Sequence, residues 1–221
     1  MLGDLAVDLL QHAGAGQRQD PAWLGKTRQV GQVVIVGGEI RERIDAEDRV
    51  TAVHADARSL PFDPEFFDAI FCIDSFPYFA TDDHYLAYLA RFAKPGGVLA
   101  LAGACMLQEI DGEVPEHLRA WWDPSCWALH SPQWWRRHWA KTGFVTVERA
   151  EAMPDGWQRW LDWQRVICPD NAVELKAVED DGGRYFGYLR LVARRRPDVR
   201  IDGPITTVPT EYTKTPLLRG E

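Results

Sequence analysis

Three short apolar runs punctuate the middle of the chain, Val50 to Val53, Ala69 to Ile73 and Val98 to Ala102, each ending in small or acidic residues. Runs that are apolar on both faces suit strands buried in a parallel sheet. Between the second and third, Tyr85, Leu89 and Phe92 recur at helical spacing. Thr81 stands ahead of them as a cap, and Asp82 and Asp83 suit the positive end of a helix. Lys94, Pro95, Gly96 and Gly97 then stop it. Strand, helix and strand in that order predict a right-handed crossover in an open α/β sheet, which binds ligands beyond the carboxyl ends of its strands. Asp56 and Ala57 stand at one such end, Asp74 and Ser75 at the next.

The pattern continues on both sides. Leu2, Leu5, Ala6, Leu9 and Leu10 follow helical spacing up to Gly14-Ala15-Gly16, Val33 to Val36 reads as a strand before Gly37-Gly38-Glu39, and Ile40 to Asp48 is short and charged. Met106 to Ser131 is acidic and rich in Trp, without clear periodicity. Ser131 then caps a helix with Pro132 at its first position and Trp135 and Trp139 on one face, ended by Gly143. A strand over Phe144 to Val147, helices over Gly156 to Val166 and Asn171 to Glu179, and a last strand over Tyr185 to Val192 follow. The last strand runs into Arg194-Arg195-Arg196, read as a solvated strand end, and a Pro- and Thr-rich tail occupies Pro197 to Glu221.

A chain of 221 residues with 46% apolar content can bury one substantial core. Its net charge of -8 argues against a general affinity for nucleic acid, which wants a basic face, and favours a small-molecule ligand. Cys72, Cys105, Cys126 and Cys168 are far apart and form no Cys-x-x-Cys pair, so they read as core residues rather than a metal or disulfide framework. No apolar run approaches the roughly 20 residues a membrane span needs. Asp4 and Asp8 spoil the start as a secretory signal, so the expected setting is cytoplasmic.

Asp56-Ala57, Leu60-Pro61-Phe62 with Phe67-Asp68, and Lys94 to Gly97, in this order and spacing, resemble the second half of a class I S-adenosylmethionine-dependent methyltransferase. The resemblance implies a Rossmann-like three-layer sandwich, with a mostly parallel sheet whose last strand is antiparallel. It begins at about Asp48-Arg49-Val50, which divides the chain into an atypical segment 1–48, a core 49–196 with a Trp-rich cap at 106–131, and a tail 197–221. It implies S-adenosylmethionine as cofactor and in-line methyl transfer to an O, N or C atom of a small molecule. Only 55 residues precede Asp56, and none spells the family's acidic and glycine-rich cofactor loop. Either Val33 to Val36 is the second strand, with Glu39 as the ribose acid, or it is the first, with Gly37-Gly38 as a degenerate loop; an ordinary turn with a solvated Glu39 is the alternative to both.

By the same resemblance Asp56 and the N–H of Ala57 would meet the adenine, against a plain turn-capping role. Asp74 and Ser75 would lie where cofactor and acceptor meet, and Tyr78 would orient the acceptor, against simple packing. The tryptophans of 106–131 would either cap the acceptor or anchor a long loop. His117 and His130 are the candidate general bases, with His130 the preferred one, because imidazole titrates near working pH. His54 reads as core, and no third ligand makes a metal site of any His pair. The alternative to an enzyme is a methyltransferase-like interaction module that has lost its cofactor. A nicotinamide oxidoreductase is disfavoured, since no Gly-x-Gly-x-x-Gly follows a strand.

Overall fold

The computed structural model describes residues 55–202 apart from 79, 80 and 82, and the side chains of 78 and 83 are also outside the description. The expectations for the first apolar run, Glu39, Gly37-Gly38, His54 and the N-terminal helix therefore lie outside the described residues. So do those for the tail beyond 202.

The described elements, in order, are β1 (Phe67–Ile73), α1 (Asp83–Ala90), β2 (Ala93–Met106), α2 (Pro132–Ala140), β3 (Val145–Ala152), α3 (Gly156–Ile167), α4 (Ala172–Asp181) and β4 (Phe186–Arg195). They form a four-stranded sheet in the order β1-β2-β4-β3. β1 runs parallel to β2, through the crossover helix α1, while β4 is antiparallel to both β2 and β3. The antiparallel last strand expected from the resemblance is thus present, and it lies between β2 and β3.

Lys94 to Gly97 does more than end a helix. α1 stops at Ala90, and the four residues belong to the irregular start of β2, where the register steps from Phe67 opposite Ala93 to Ala69 opposite Val98. Lys94 Nζ crosses to the Asp68 carboxylate at 2.9 Å, and Gly97 comes so close that an added Cβ would sit 2.8 Å from Lys94 O and 3.0 Å from Asp68 O. The Phe67-Asp68 and Lys-Pro-Gly-Gly signatures are therefore two sides of one bulge, an example of sequence motifs fixed by local sterics.

The main core lies on the face of the sheet covered by α1 and α2. Tyr85, Leu86, Leu89 and Phe92 meet Leu99, Leu101, Trp135 and Trp139 there, and Phe76, from the turn after β1, packs edge-on against Trp135 and tilted against Trp139. A second cluster joins Met106, Leu118, Trp160, Leu161, Val178 and Phe186, with Trp121 and Trp122 packed against it. The 106–131 segment folds into two short 3₁₀ turns, Glu116–Leu118 and Pro124–Ala128, and Trp121 stands edge-on to Trp160 and Phe186. These contacts account for the anchoring role of its tryptophans.

The triple-arginine run is a correction. It was expected to be solvated, yet Arg195 is buried, donating to Ala93 O and, at 3.0 Å, to Glu65. Arg194 reaches Glu148 and Gly96 O, and Arg196 reaches Asp198. Strand alternation turns the middle residue inward, and a buried guanidinium is tolerable because a carbonyl and a carboxylate meet it. α3 shows a similar closeness, since at Gly156 a Cβ would lie 2.7 Å from Tyr188 N.

Gly97→Ala is expected to lower stability by about 1–3 kcal/mol, since backbone rather than a flexible side chain fills the space. Urea unfolding of the two proteins checks this; an unchanged midpoint would mean the bulge relaxes freely.

Candidate functional site

The carboxyl ends of β1 and β2 define the rim where an open parallel pair presents ligands. At the end of β1, Asp74 adopts a left-handed backbone with φ of 51°, which Asp tolerates better than most residues. Its N–H still donates to Ala102 O at 2.9 Å, and its carboxylate accepts from the Tyr188 hydroxyl of β4. Crowding by surrounding protein pushes the Asp74 pKa up, with the Tyr188 and Ala104 hydrogen bonds opposing it, although much of the residue faces outward. Burial, then the neighbouring Asp74, pushes Tyr188 up as well, so the phenol stays a donor. Ser75 is half-buried beside them. Sequence patterning had no means of pairing Tyr188 with Asp74, since 114 residues separate them.

Three residues beyond β2 stands Glu109, and it organises a second group. Its Oε1 accepts from Ser131 N at 2.8 Å and Ser131 Oγ at 2.6 Å, and its Oε2 lies 2.9 Å from His130 Nδ1. Burial alone would raise the Glu109 pKa, but the three donors overcome it and hold the carboxyl at about 2. An ionised carboxylate only accepts, so Nδ1 of His130 carries a proton and Nε2 is the nitrogen left to act as a base. Nε2 has no hydrogen-bond partner among the described residues. The imidazole lies flat on Trp134, with ring centroids 3.7 Å apart and planes 8° apart. It also meets Trp135 edge-on, and Trp135 in turn touches Phe76, two residues past Asp74. In this way the turn after β1 and the turn before α2 are packed together.

The other sequence candidates separate. Asp56 is exposed in a turn, where Arg58 binds it through its backbone N–H, Nε and Nη2; the Arg58 side-chain bonds hold its pKa at about 2. Ala57 is buried, its carbonyl accepting from the Tyr85 hydroxyl at 3.2 Å. Tyr78 lies in a 3₁₀ turn with Phe76, its side chain outside the description. His117 has a partner the sequence did not disclose, Asp181, at 3.0 Å. That carboxylate is fully buried and also accepts from Tyr185 N and Phe186 N, so it pins the start of β4 rather than facing a rim. Cys72, Cys105 and Cys126 are pushed up to about 12, 12 and 11 by burial, which keeps them as thiols. Among the described residues, no group of three or more His, Cys, Asp and Glu could hold a metal, and no helix is long and apolar enough to cross a membrane.

A family model described as a methyltransferase domain matches residues 12–101, reaching further towards the N-terminus than the motifs alone do. The chain is 28% identical over 183 residues to erythromycin 3''-O-methyltransferase of Saccharopolyspora erythraea, covering 75% of this chain and 58% of that one. It is 31% identical over 108 residues to methyltransferase GfsG of Streptomyces halstedii, covering 44% of this chain and 38% of that one. The chain thus spans about two fifths to three fifths of these relatives' lengths. Among solved structures, phosphoethanolamine N-methyltransferase 2 of Haemonchus contortus, in complex with S-adenosyl-L-methionine, superposes with a TM-score of 0.52 at 18% identity, over 68% of this chain and 38% of that one.

Because folding lowers the Glu109 pKa from 4.5 to about 2, its contribution to stability is complete above about pH 4.5 and is lost as the pH falls through about 2. Glu109→Gln is expected to cost about 2–3 kcal/mol at pH 7, and the gap to wild type should narrow by roughly half at about pH 3. Urea unfolding at both pH values measures it; an equal gap would mean the carboxylate is not held by its donors.

Proposed function

We propose, from the premise that this chain carries a class I S-adenosylmethionine-dependent methyltransferase domain, that it methylates a hydroxyl oxygen of a small-molecule acceptor. The observation that carries the reading is the His130–Glu109 pair just beyond the carboxyl end of β2. An alkylamine is mostly ammonium at neutral pH but keeps a small free-base fraction with a nucleophilic lone pair, whereas an alcohol stays protonated and gains more from a base that removes its proton as the new bond forms. An imidazole tethered through Nδ1 is suited to that work, so the pair favours oxygen over nitrogen as the acceptor atom. The name of the erythromycin relative, an O-methyltransferase, points the same way. A match covering three quarters of this chain takes in residues 109–134 wherever it begins.

S-adenosylmethionine, when bound, supplies an electrophilic methyl group on a sulfonium. The residues present suit its adenine end: Asp56 keeps about half of its side chain open and can accept from an amino group even while Arg58 holds it. Ala57 follows it in the same turn, with its N–H as the complementary donor. Asp74 and Ser75, at the end of β1, are the proposed contacts where cofactor and acceptor would meet, and the Tyr188 hydroxyl holds the Asp74 carboxylate. Glu39 remains the proposed ribose acid and Tyr78 the proposed acceptor contact. The bound cofactor would supply its methyl group to the acceptor oxygen, and His130 Nε2 would receive the hydroxyl proton. Glu109 stabilises the imidazolium that results. Most of the acceleration comes from holding the reactants in line, with the base adding to it.

The test is incubation with S-adenosylmethionine and erythromycin-type macrolide alcohols, with a methylated product sought by mass spectrometry. His130→Ala is expected to lower kcat by about 10²–10⁴-fold while leaving cofactor affinity, measured by calorimetry, unchanged. A variant as fast as wild type would end the base assignment; no heat with millimolar cofactor would end the enzyme reading. Asp56→Ala should weaken cofactor binding about tenfold through loss of one hydrogen bond, also by calorimetry, and unchanged affinity would remove Asp56 from the adenine site.

A further inference from the structure

His130 is gripped from two directions. Along one edge Glu109 accepts a hydrogen bond from its Nδ1, and across its face lies the indole of Trp134, nearly parallel to it with ring centroids 3.7 Å apart. Trp134 is itself immobilised. His138, one helical turn further along α2, stacks on it at 4.5 Å with planes 19° apart, and Trp135 stands edge-on at 4.9 Å. The backbone N–H of Trp134 donates to Ser131 Oγ at 3.3 Å, the same hydroxyl that donates to Glu109. The backbone that carries the indole and the carboxylate are therefore tied to each other through the cap of α2, while the ring itself is held by its stacking neighbours. An imidazole on the single carboxylate hydrogen bond could still rotate about that bond; a flat surface against its face removes this freedom.

We propose that Trp134 is a positioning residue for methyl transfer: its indole face holds the His130 ring in the plane that keeps the Nδ1 proton on Glu109 and aims Nε2 at the acceptor. Trp134 touches neither acceptor nor cofactor in this role and acts only through His130. The inference rests on His130 being the base. A side chain that merely filled space would be replaceable by any apolar group of suitable size, whereas a clamp needs a flat face. The stacked ring adds attraction for the imidazolium formed after proton removal, since the indole face is electron-rich.

The experiment reads the imidazole tautomer directly. Long-range ¹H–¹⁵N correlation spectra of the whole protein at about pH 9, where imidazole is neutral, assign which nitrogen of His130 carries hydrogen, with His130→Ala identifying the signal. Wild type and Trp134→Phe are expected to show a single Nδ1–H form. Trp134→Leu should show a mixture with the Nε2–H form that free histidine prefers. With the macrolide alcohol that supports turnover, Trp134→Leu should lose about 10–100-fold in kcat with KM little changed, and Trp134→Phe should recover most of it. A pure Nδ1–H form in Trp134→Leu, or a Phe variant no better than Leu, overturns the proposal. In wild type the His130 Cε1–H must also resonate upfield of the other histidines, shielded by the indole, and an ordinary position overturns the proposal even if the Leu variant fails to fold. His130→Ala at full wild-type rate would instead defeat the base assignment while leaving the tautomer result standing.

Discussion

β2 is paired on both edges by strands of opposite sense, and the rest of the structure is arranged around that constraint. β1 hydrogen-bonds to it in parallel from Val98 to Ala102 and β4 in antiparallel fashion from Val98 to Met106, so the backbone groups of the buried middle of the strand find partners on either side. Its carboxyl end is thereby fixed, and Glu109 emerges from a rigid position. The same pairing explains how Tyr188 reaches Asp74. Tyr188 lies opposite Ala104 of β2, and its phenol extends across one strand to the end of the next.

Two histidine–carboxylate pairs occur in the described residues, and their chemistry differs because their neighbours do. Asp181 spends its acceptor capacity on the Tyr185 and Phe186 amides as well as His117, closing the turn that starts β4. Glu109 gives one oxygen to the α2 cap and the other to His130, whose second nitrogen remains uncommitted. Removing a carboxylate from water is costly, and both sites answer it with three donors. Of the two, the Glu109–His130 pair is the one that follows the carboxyl end of β2.

The parallel pair, its crossover helix and the helix after Ser131 were legible in the sequence because each rests on local pattern: unbroken apolar runs, Tyr85 and Leu89 at helical spacing, Ser131-Pro132 at a helix start; the reversed sense of the last strand came only from the family resemblance. Asp74 could be placed at a strand end for the same reason. The partners of the site residues were not legible. Glu109 and His130 are 21 residues apart across a segment without periodicity, and nothing in that stretch distinguishes Glu109 from its acidic neighbours. The charge-run reading of Arg194 to Arg196 failed for a related reason. Composition marks a basic cluster, but strand alternation decides which of its members turns inward, and the carbonyl that receives Arg195 belongs to a residue about a hundred positions earlier.

The order β1-β2-β4-β3 has a consequence for how the domain is made. The strand that completes the middle of the sheet comes last among those described, after two helices and the edge strand it must bind. As the polypeptide leaves the ribosome, β2 has one edge unpaired, and β3 has no partner among the described strands, until β4 arrives to join them. Closing contacts such as Leu99 with Ala193 span so much chain that assembly is slow, and the waiting edges are where nascent copies would associate with one another.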